Sequence, residues 1–145
     1  MDAFDAKLHR SIAELDAPLW QSCFGDSDPF LRWEFLHGLE TSACTTAESG
    51  WQPAHITLEQ RGVPVGVLPA YLKTHSYGEY VFDWSWADAW QRSGLSYYPK
   101  LLSGIPFTPA TGPRLLVAEG IDSRKVWVFI VDWIKDFCAS KKLSS

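Results

Sequence analysis

Three carboxylates lie close together in a segment of the chain that is rich in tyrosine and tryptophan: Glu79, Asp83 and Asp88. Aromatic surroundings exclude water, and this raises the pKa of a carboxyl group toward the range in which it works as a general base. Asp88 follows Ser85 with the spacing of a capping box, so we expect it at a helix start. Glu79 and Asp83 are therefore the candidate catalytic residues. The alternatives are a solvated strand position for Glu79 and a structural hydrogen-bonding role for Asp83.

Two cations follow stiff stretches of backbone further along the chain. Lys100 comes directly after Tyr-Tyr-Pro, and Arg114 comes directly after Gly-Pro. Either side chain could hold an anionic group of a ligand, and the planar guanidinium of Arg114 suits a carboxylate or a phosphate. An ion pair of Arg114 with Asp83 or Glu79 is the structural alternative.

Other kinds of site are poorly supported. His75, Ser76 and Asp83 have the residue types of a Ser-His-Asp triad, but adjacent residues of an extended segment point to opposite faces, and the G-x-S-x-G turn is absent. The glycines do not fall into a phosphate-binding spacing, and the dispersed histidines predict no metal site. The cysteines lack paired spacing and are expected to be buried free thiols: Cys23, Cys44 and Cys138.

Composition indicates a single folded domain. The chain has 145 residues, of which 46% are hydrophobic and 21% charged, with a formal net charge of −4. This acidic balance argues against a DNA partner, because DNA binding requires a basic face. No apolar stretch suited to a signal peptide or a membrane span follows Met1, so a cytoplasmic location is expected.

Alternating helix and strand signals predict a mixed α/β (α+β) fold. Asp16 and Asp28 each precede a proline at a helix start, and Ser123 is the expected cap of a last helix with one apolar face. A turn at Arg61 and Gly62 predicts a hairpin. The predicted elements are a strand or extended segment at 4–13, helices at 16–24 and 28–44, hairpin strands at 55–59 and 63–73, a helix at 85–94, a strand at 114–117 and a helix from 123 onward.

Several of these elements have details that can be tested. Pro64, Gly66 and Pro69 interrupt the second arm of the hairpin, which predicts a bulge or a splayed edge. Trp86 and Trp90 share a face of the short helix and are expected to pack in the core, with a sugar-stacking platform as the alternative. The apolar run 126–131 is too short for a membrane span and indicates a buried helix.

Long motifs in the same region are shared with a known family. They are SYGEYVFDW at 76–84, YPKLL at 98–102, PFTP at 106–109 and GPR at 112–114. With these motifs the chain resembles the Fem-like (FemAB-related) predicted N-acyltransferases of the GNAT superfamily. The resemblance implies a GNAT-like fold with a mixed, mostly antiparallel sheet flanked by helices. Family members look like two GNAT-type halves in tandem, and residues 1–145 correspond to the first half as a single domain, so a truncated member is expected.

The resemblance also implies a reaction, the transfer of an acyl or aminoacyl group to an amine. The donor would be acyl-CoA or aminoacyl-tRNA, and the acceptor a small-molecule or peptide amine, such as one on a peptidoglycan precursor. Asp83 and Glu79 are the candidate bases for the amine. The candidate substrate-binding residues are Tyr77, Tyr80, Trp84, Tyr98, Lys100, Thr108 and Arg114. Self-association is expected through the face left by the missing half.

Two other functions stay open at this point. The chain could be a non-catalytic binding module, in which the aromatic segment holds a cell-wall peptide or sugar. It could also be a truncated, inactive fragment, for which poor folding and exposed apolar surface are expected. The eight Trp, five Tyr and eight Phe suit either a heavily aromatic core or a cleft that stacks on a ligand.

Overall fold

The computed structural model describes residues 3–25, 28–80 and 82–145. Within these ranges the chain combines helices with antiparallel strands, which confirms the predicted α+β class. The helices are α1 (Ala17–Phe24), α2 (Trp33–Thr41), α3 (Trp84–Arg92) and α4 (Ser123–Lys141). The strands are β1 (Phe4–His9), β2 (Trp51–Pro53), β3 (His55–Gln60), β4 (Val63–Leu68), β5 (Tyr71–Lys73), β6 (Lys100–Leu102) and β7 (Leu116–Val117).

A long, bent hairpin organises two sheets. One arm runs through β2 and β3, the other through β4 and β5, and Arg61 and Gly62 form the tip with left-handed φ angles of 53° and 78°. Near the tip, β1 and β7 flank the hairpin and give the strand order β1-β3-β4-β7. At its other end β6 completes a second sheet, with the order β2-β5-β6. All of these pairings are antiparallel.

The second arm of the hairpin has the bulge that its prolines and glycine predict. Leu58 pairs with Gly66 while the adjacent Glu59 pairs with Pro64, so Val65 is an extra residue in β4. A Cβ atom on Gly66 would lie 3.2 Å from Cδ1 of Leu58, so the close approach of the two strands favours glycine there.

The second arm is not one strand over 63–73, as predicted, but two strands in different sheets. β4 ends at Leu68 and β5 begins at Tyr71. Pro69, between them, lacks the N–H group that a continuous ladder needs, and its carbonyl accepts a hydrogen bond from the Ser103 hydroxyl at 2.8 Å. This break lets β5 turn toward β6, which carries Lys100.

The opening strand is shorter than predicted. β1 pairs with β3 from Phe4 opposite Gln60 to His9 opposite His55. Ser11 then caps a 3-10 turn over Ile12–Glu14 by accepting a hydrogen bond from Ala13 N, so the strand cannot reach residue 13.

Capping side chains decide where the helices begin. Asp16 caps α1 as predicted. Asp28 caps only a 3-10 turn over Pro29–Leu31, so the predicted helix 28–44 is shorter and starts at Trp33. The cap of α4 is Asp122 and not Ser123, because the Asp122 carboxylate accepts hydrogen bonds from two amides of the first turn.

Helices cover both faces of the first sheet. α4 packs Val126 and Ile130, both fully buried, against one face through its predicted apolar side. On the other face, α1 and α2 pack Trp20 and Leu36 against Val67. Burial of each large apolar side chain stabilises a protein by roughly 1.5–3 kcal/mol, so these two clusters form the rigid base of the fold.

The apolar run 126–131 is only half buried, which corrects the prediction of a buried helix. Trp127, Val128 and Val131 are 46%, 62% and 40% exposed, because the helical repeat turns them away from the sheet. In the part of the chain that the structure describes, no helix is long and apolar enough to cross a membrane.

The three cysteines are free, as predicted, but differ in burial. Cys138 is buried, Cys23 is half-buried and Cys44 is exposed. The predicted burial therefore holds fully only for Cys138, which lies in the last turns of α4. The exposed Cys44 lies just beyond α2, where it contacts the Ser42 hydroxyl at 3.2 Å.

Candidate functional site

The segment 75–84, which links β5 to α3, carries most of the predicted site residues. Its carboxylates, Glu79 and Asp83, lie inside the protein with side chains 10% and 15% exposed. Tyr77, Tyr80 and Trp84 face outward and are 61%, 69% and 52% exposed. The segment therefore separates an inner layer of charges from an outer layer of aromatic rings.

Backbone hydrogen bonds hold this segment against the second sheet. The Tyr77 carbonyl accepts hydrogen bonds from Trp51 Nε1 at 3.0 Å and from Lys73 Nζ at 2.9 Å. The Gly78 carbonyl accepts one from Phe107 N at 3.0 Å. Gly78 has a left-handed φ of 77°, and a Cβ atom there would lie 2.5 Å from Trp51 Nε1. Only glycine fits this position without displacing its neighbours.

Asp83 is the centre of a buried hydrogen-bonded cluster. Lys100 Nζ donates to Asp83 Oδ2 at 2.6 Å. The hydroxyl groups of Ser76 and Tyr97 donate to the same carboxylate. The Tyr98 hydroxyl contacts Ser76 and lies 3.4 Å from Asp83 Oδ1. Segment 75–84 and the start of β6 thus meet around one carboxylate.

These donors fix the protonation states in the cluster. Burial alone would raise the pKa of the Asp83 carboxyl, but the hydrogen bonds from Lys100 and from two hydroxyl groups outweigh it and hold the pKa well below its usual range. Burial would lower the pKa of the Lys100 ammonium, but Asp83 and Glu79 outweigh it and raise the pKa. Asp83 and Lys100 therefore both stay charged near neutral pH, and Asp83 accepts a proton only reluctantly.

Lys73, which sequence reasoning missed, is fully buried beside this cluster. Its Nζ lies 3.8 Å from the centre of the Trp51 ring, a favourable position for a cation. Burial lowers the pKa of Lys73 to about 8, against the opposing attraction of Glu79. A sequence signal was present: Lys73 follows the buried Tyr71 by two residues, so both side chains face inward from β5.

His75 and Ser76 do not form a catalytic pair. Ser76 directs its hydroxyl toward Asp83, whereas Nδ1 of His75 accepts a hydrogen bond from the amide of Tyr77 at 3.1 Å. The His75 ring also packs so closely on Gly50 that a Cβ atom there would lie 2.2 Å from His75 Nε2. Among the described residues, no group of His, Cys, Asp and Glu side chains is arranged to hold a metal ion.

A groove of about 260 Å³ opens beside the charged cluster, under the loop between β6 and β7. Four predicted site residues line it: Glu79, Tyr80, Thr108 and Arg114. Its other walls are Trp51, Leu102, Gly104, Ile105, Pro109 and Ala110. The groove therefore combines mostly apolar walls with one carboxylate and one guanidinium.

Glu79 joins the groove to the charged cluster. Its Oε2 accepts a hydrogen bond from Lys100 Nζ at 3.1 Å. Its Oε1 is buried and has no hydrogen-bond partner among the described residues. A buried polar atom without a partner costs roughly 1–3 kcal/mol, so a donor group that reached Oε1 from the groove would be stabilised.

Arg114 braces the loop between β6 and β7. Its guanidinium donates to the carbonyls of Ala110 at 3.1 Å and Gly112 at 3.2 Å. Within the described ranges no carboxylate lies within ion-pair distance of this guanidinium, so the alternative of a pair with Asp83 or Glu79 is wrong. The hydrogen-bond partners of Arg114 are therefore backbone carbonyls of its own loop, and the Asp28 carboxylate lies nearby, against Gly112.

The other predicted site residues lie around the groove. Tyr98 and Lys100 belong to the inner charged layer, and Lys100 is only 6% exposed. Tyr77 and Trp84 lie on the outer surface, and Thr108 in the groove accepts a hydrogen bond from Ala110 N at 3.2 Å. The structure thus distributes the predicted residues over the inner charged layer, the outer aromatic layer and the groove, and does not bring them into one pocket.

α3 corrects two predictions. The helix begins at Trp84, ahead of the S-x-x-D pattern, so Asp88 is not a capping residue but an exposed one that pairs with Arg92 at 2.6 Å. Trp86 is 65% exposed and α3 buries no residue fully, so Trp86 and Trp90 do not pack in the core.

Comparison with known proteins gives one positive result. No curated protein and no solved structure matches the chain. The sequence model of the FemAB-like family, described as peptidoglycan biosynthesis/recognition, matches residues 11–145. The match includes both hairpin arms, segment 75–84 and the loop that carries Thr108 and Arg114. The chain therefore belongs to the FemAB-like family of peptidoglycan biosynthesis and recognition.

Proposed function

We propose that this chain serves in N-acyl transfer, in which an acyl or aminoacyl group passes to an amine of a peptidoglycan precursor. The proposal depends on the position of the Glu79 carboxylate. Its carboxylate lies between the groove and the charged cluster, held by Lys100 on one oxygen and without a partner on the other. An amine in the groove would supply the missing donor, once the groove wall moves enough to uncover Oε1.

Glu79 is the better candidate for the general base, and Asp83 is its support. In the proposed step the amine nitrogen attacks the carbonyl carbon of the donor, the bond to the leaving sulfur or oxygen breaks, and the nitrogen loses a proton to Glu79. The proton then passes to the leaving thiolate or alkoxide. Asp83 cannot fill this role well, because several donors stabilise its charged form. Asp83 instead keeps Lys100 in position beside Glu79.

Arg114 is proposed to hold an anionic group of the substrate. Its guanidinium lines the same groove as Glu79 and has backbone carbonyls as its hydrogen-bond partners. A carboxylate of a peptide acceptor or a phosphate of a donor would suit it. Acyl-CoA and aminoacyl-tRNA both fit as donors, and the net charge of −4 favours the smaller one. A second GNAT-like unit would share the donor site, as the family resemblance implies.

Transfer of label tests the proposal directly. Radiolabelled acetyl-CoA and charged tRNA are offered in parallel to muropeptide amines, with the chain alone and with the chain fused to the second half of a family member. We expect Glu79→Gln to lower the rate roughly 10²–10⁴-fold, which is the usual contribution of a general base. Glu119→Gln, at an exposed glutamate, is the matched control and should leave the rate unchanged. Equal rates for the wild type and Glu79→Gln would refute the role of Glu79.

A non-catalytic binding module is the second candidate, and the exposed aromatic layer favours it. In that case the chain would retain a muropeptide without transferring label from either donor, in both the short and the fused form. Retention with no turnover would replace the transferase proposal.

A further inference from the structure

Three exposed rings of segment 75–84 form a continuous row beside the groove. The Trp84 ring lies at its centre, with the Tyr77 ring edge-on at 5.6 Å on one side and the Phe82 ring nearly parallel at 5.8 Å on the other. Tyr77, Phe82 and Trp84 are 61%, 53% and 52% exposed. We call these three side chains the aromatic row.

We propose that the aromatic row is a saccharide-binding platform, which holds a sugar of the acceptor while its amine lies in the groove. The place of the sugar relative to the amine rests on the proposed transfer function. Binding of a saccharide to the row itself does not depend on transfer.

The exposure of the row is the first argument. Large aromatic side chains contribute strongly to the free energy of binding when a ligand buries them. Contiguous exposed apolar patches therefore often mark binding sites. The charged layer beneath explains why these rings face outward: Glu79 and Asp83 take the inward positions of the same segment. The fold therefore presents the rings to solvent and does not bury them.

The close packing at Tyr77 and Gly78 is the second argument. Trp51 and Lys73 both donate to the Tyr77 carbonyl, and Gly78 is wedged against Trp51. A surface that is already ordered loses little conformational entropy when a ligand binds. The backbone that carries the Tyr77 ring is thus held in place before a ligand binds.

The chemistry of the row favours a sugar over a lipid surface. A pyranose has a face of C–H groups with partial positive charge, which complements the negative face of an aromatic ring. Membrane surfaces attract basic segments, but the described row carries no cation and the chain has a net charge of −4. The cation of α3, Arg92, is paired with Asp88.

The position of the row is the last argument. Segment 75–84 also supplies Glu79 and Tyr80 to the groove wall. A family concerned with peptidoglycan meets a polymer in which sugars carry short peptides with amines. One acceptor could therefore lie across both surfaces, with the sugar on the row and the peptide amine beside Glu79.

Calorimetric titration with a neutral tetramer of β-1,4-linked N-acetylglucosamine tests the inference. We expect the wild type to bind it, and Trp84→Ala and Tyr77→Ala each to weaken binding roughly tenfold or more. Trp127→Ala is the matched control, because Trp127 is 46% exposed on α4, away from the row. Circular dichroism of each variant checks that it folds. Phe82→Ala is a further variant of the row, at a residue that does not carry the hydrogen bond between Trp51 and the Tyr77 carbonyl.

Three results would overturn the inference: no binding by the wild type, equal weakening by Trp127→Ala, or tight binding of the row to phospholipid vesicles in place of the tetramer. The test is separate from the transfer assay. Glu79→Gln should still bind the tetramer, so loss of transfer with intact saccharide binding concerns Glu79 alone. Intact transfer without saccharide binding would refute only the platform.

Discussion

Glu79 and Asp83 show how the surroundings of a residue decide its role. Both carboxylates are nearly buried and both contact Lys100. Asp83 also receives hydrogen bonds from Ser76 and Tyr97, whereas Glu79 keeps one oxygen without a partner. The hydrogen bonds to Asp83 stabilise its negative charge. Glu79 has one oxygen that can still accept a hydrogen bond from a ligand.

Asp83→Asn should destabilise the fold by about 3 kcal/mol at pH 7, because it leaves the buried Lys100 without its closest counter-charge. The pKa of Asp83 is lower in the folded chain than its ordinary value of 3.8, so its contribution to stability is present above that value and is lost as pH falls below it. The difference between wild type and variant should therefore shrink between about pH 5 and pH 2. Urea unfolding at several pH values measures this difference in the free energy of unfolding.

Asp132→Asn is the control for this prediction. Asp132 pairs with Lys135 on the surface, with both side chains 70% exposed, and such pairs contribute little. If the free energy of unfolding fell with pH in the same way for the wild type and for Asp83→Asn, the fold would not hold Asp83 in its charged form.

At this scale the sequence could predict which residue types gather, but not which of them bond to one another. Glu79 and Asp83 stood out because of their aromatic neighbours. Lys100 was predicted to bind substrate, yet it is the partner of both carboxylates. That pairing depends on β6 lying beside β5, a long-range contact that no local spacing encodes.

The element that positions the site is segment 75–84, and close backbone packing holds it. The carbonyls of Tyr77 and Gly78 accept hydrogen bonds from β2, from β5 and from the loop between β6 and β7. β6 is held in turn by the residues that follow α4: Leu101 N donates to the Ser145 carbonyl at 2.7 Å, and Ser144 N donates to the Pro99 carbonyl at 3.1 Å. The inner layer is thus supported from both sides.

Gly78→Ala should cost roughly 3 kcal/mol or more of folding stability, because the new Cβ atom would meet Trp51 in addition to the strain of a left-handed φ. Gly94→Ala is the matched control. Gly94 has a similar φ of 73° at the end of α3, but nothing lies within 4 Å of a Cβ atom there. The control should lose only about 1 kcal/mol. Thermal unfolding compares the two, and equal losses would contradict tight packing at Gly78.

Helix boundaries were predictable where a local cap decides them and not where a tertiary contact does. Asp16 and the glycine after α3 behave as their types indicate. Asp83 occupies the cap position of α3, but Lys100 and its hydroxyl partners have taken its side chain, so no side chain caps the helix. The S-x-x-D pattern, which starts two positions further at Ser85, was therefore misleading.

For the whole molecule, the α+β class was predictable from the order of helix and strand signals, and the bulge from Pro64 and Gly66. The division into two sheets was not, because it depends on where β6 and β7 pair with the hairpin. This division opens the groove between the loop after β6 and segment 75–84. Self-association is not tested by the fold and stays a prediction.

The central claim is that an acceptor amine lies in the groove beside Glu79, and mapping of ligand contacts by nuclear magnetic resonance tests it most directly. A muropeptide with a free amine is titrated into labelled protein. We predict shifts at the Trp51 indole N–H and at the amides of Ile105 and Ala110, which line the groove, and their loss in Glu79→Gln. A separate cleft of about 300 Å³ lies between β1 and α1 and is lined by Lys7, Leu15 and Phe24. Shifts confined to that cleft would contradict binding of the amine beside Glu79.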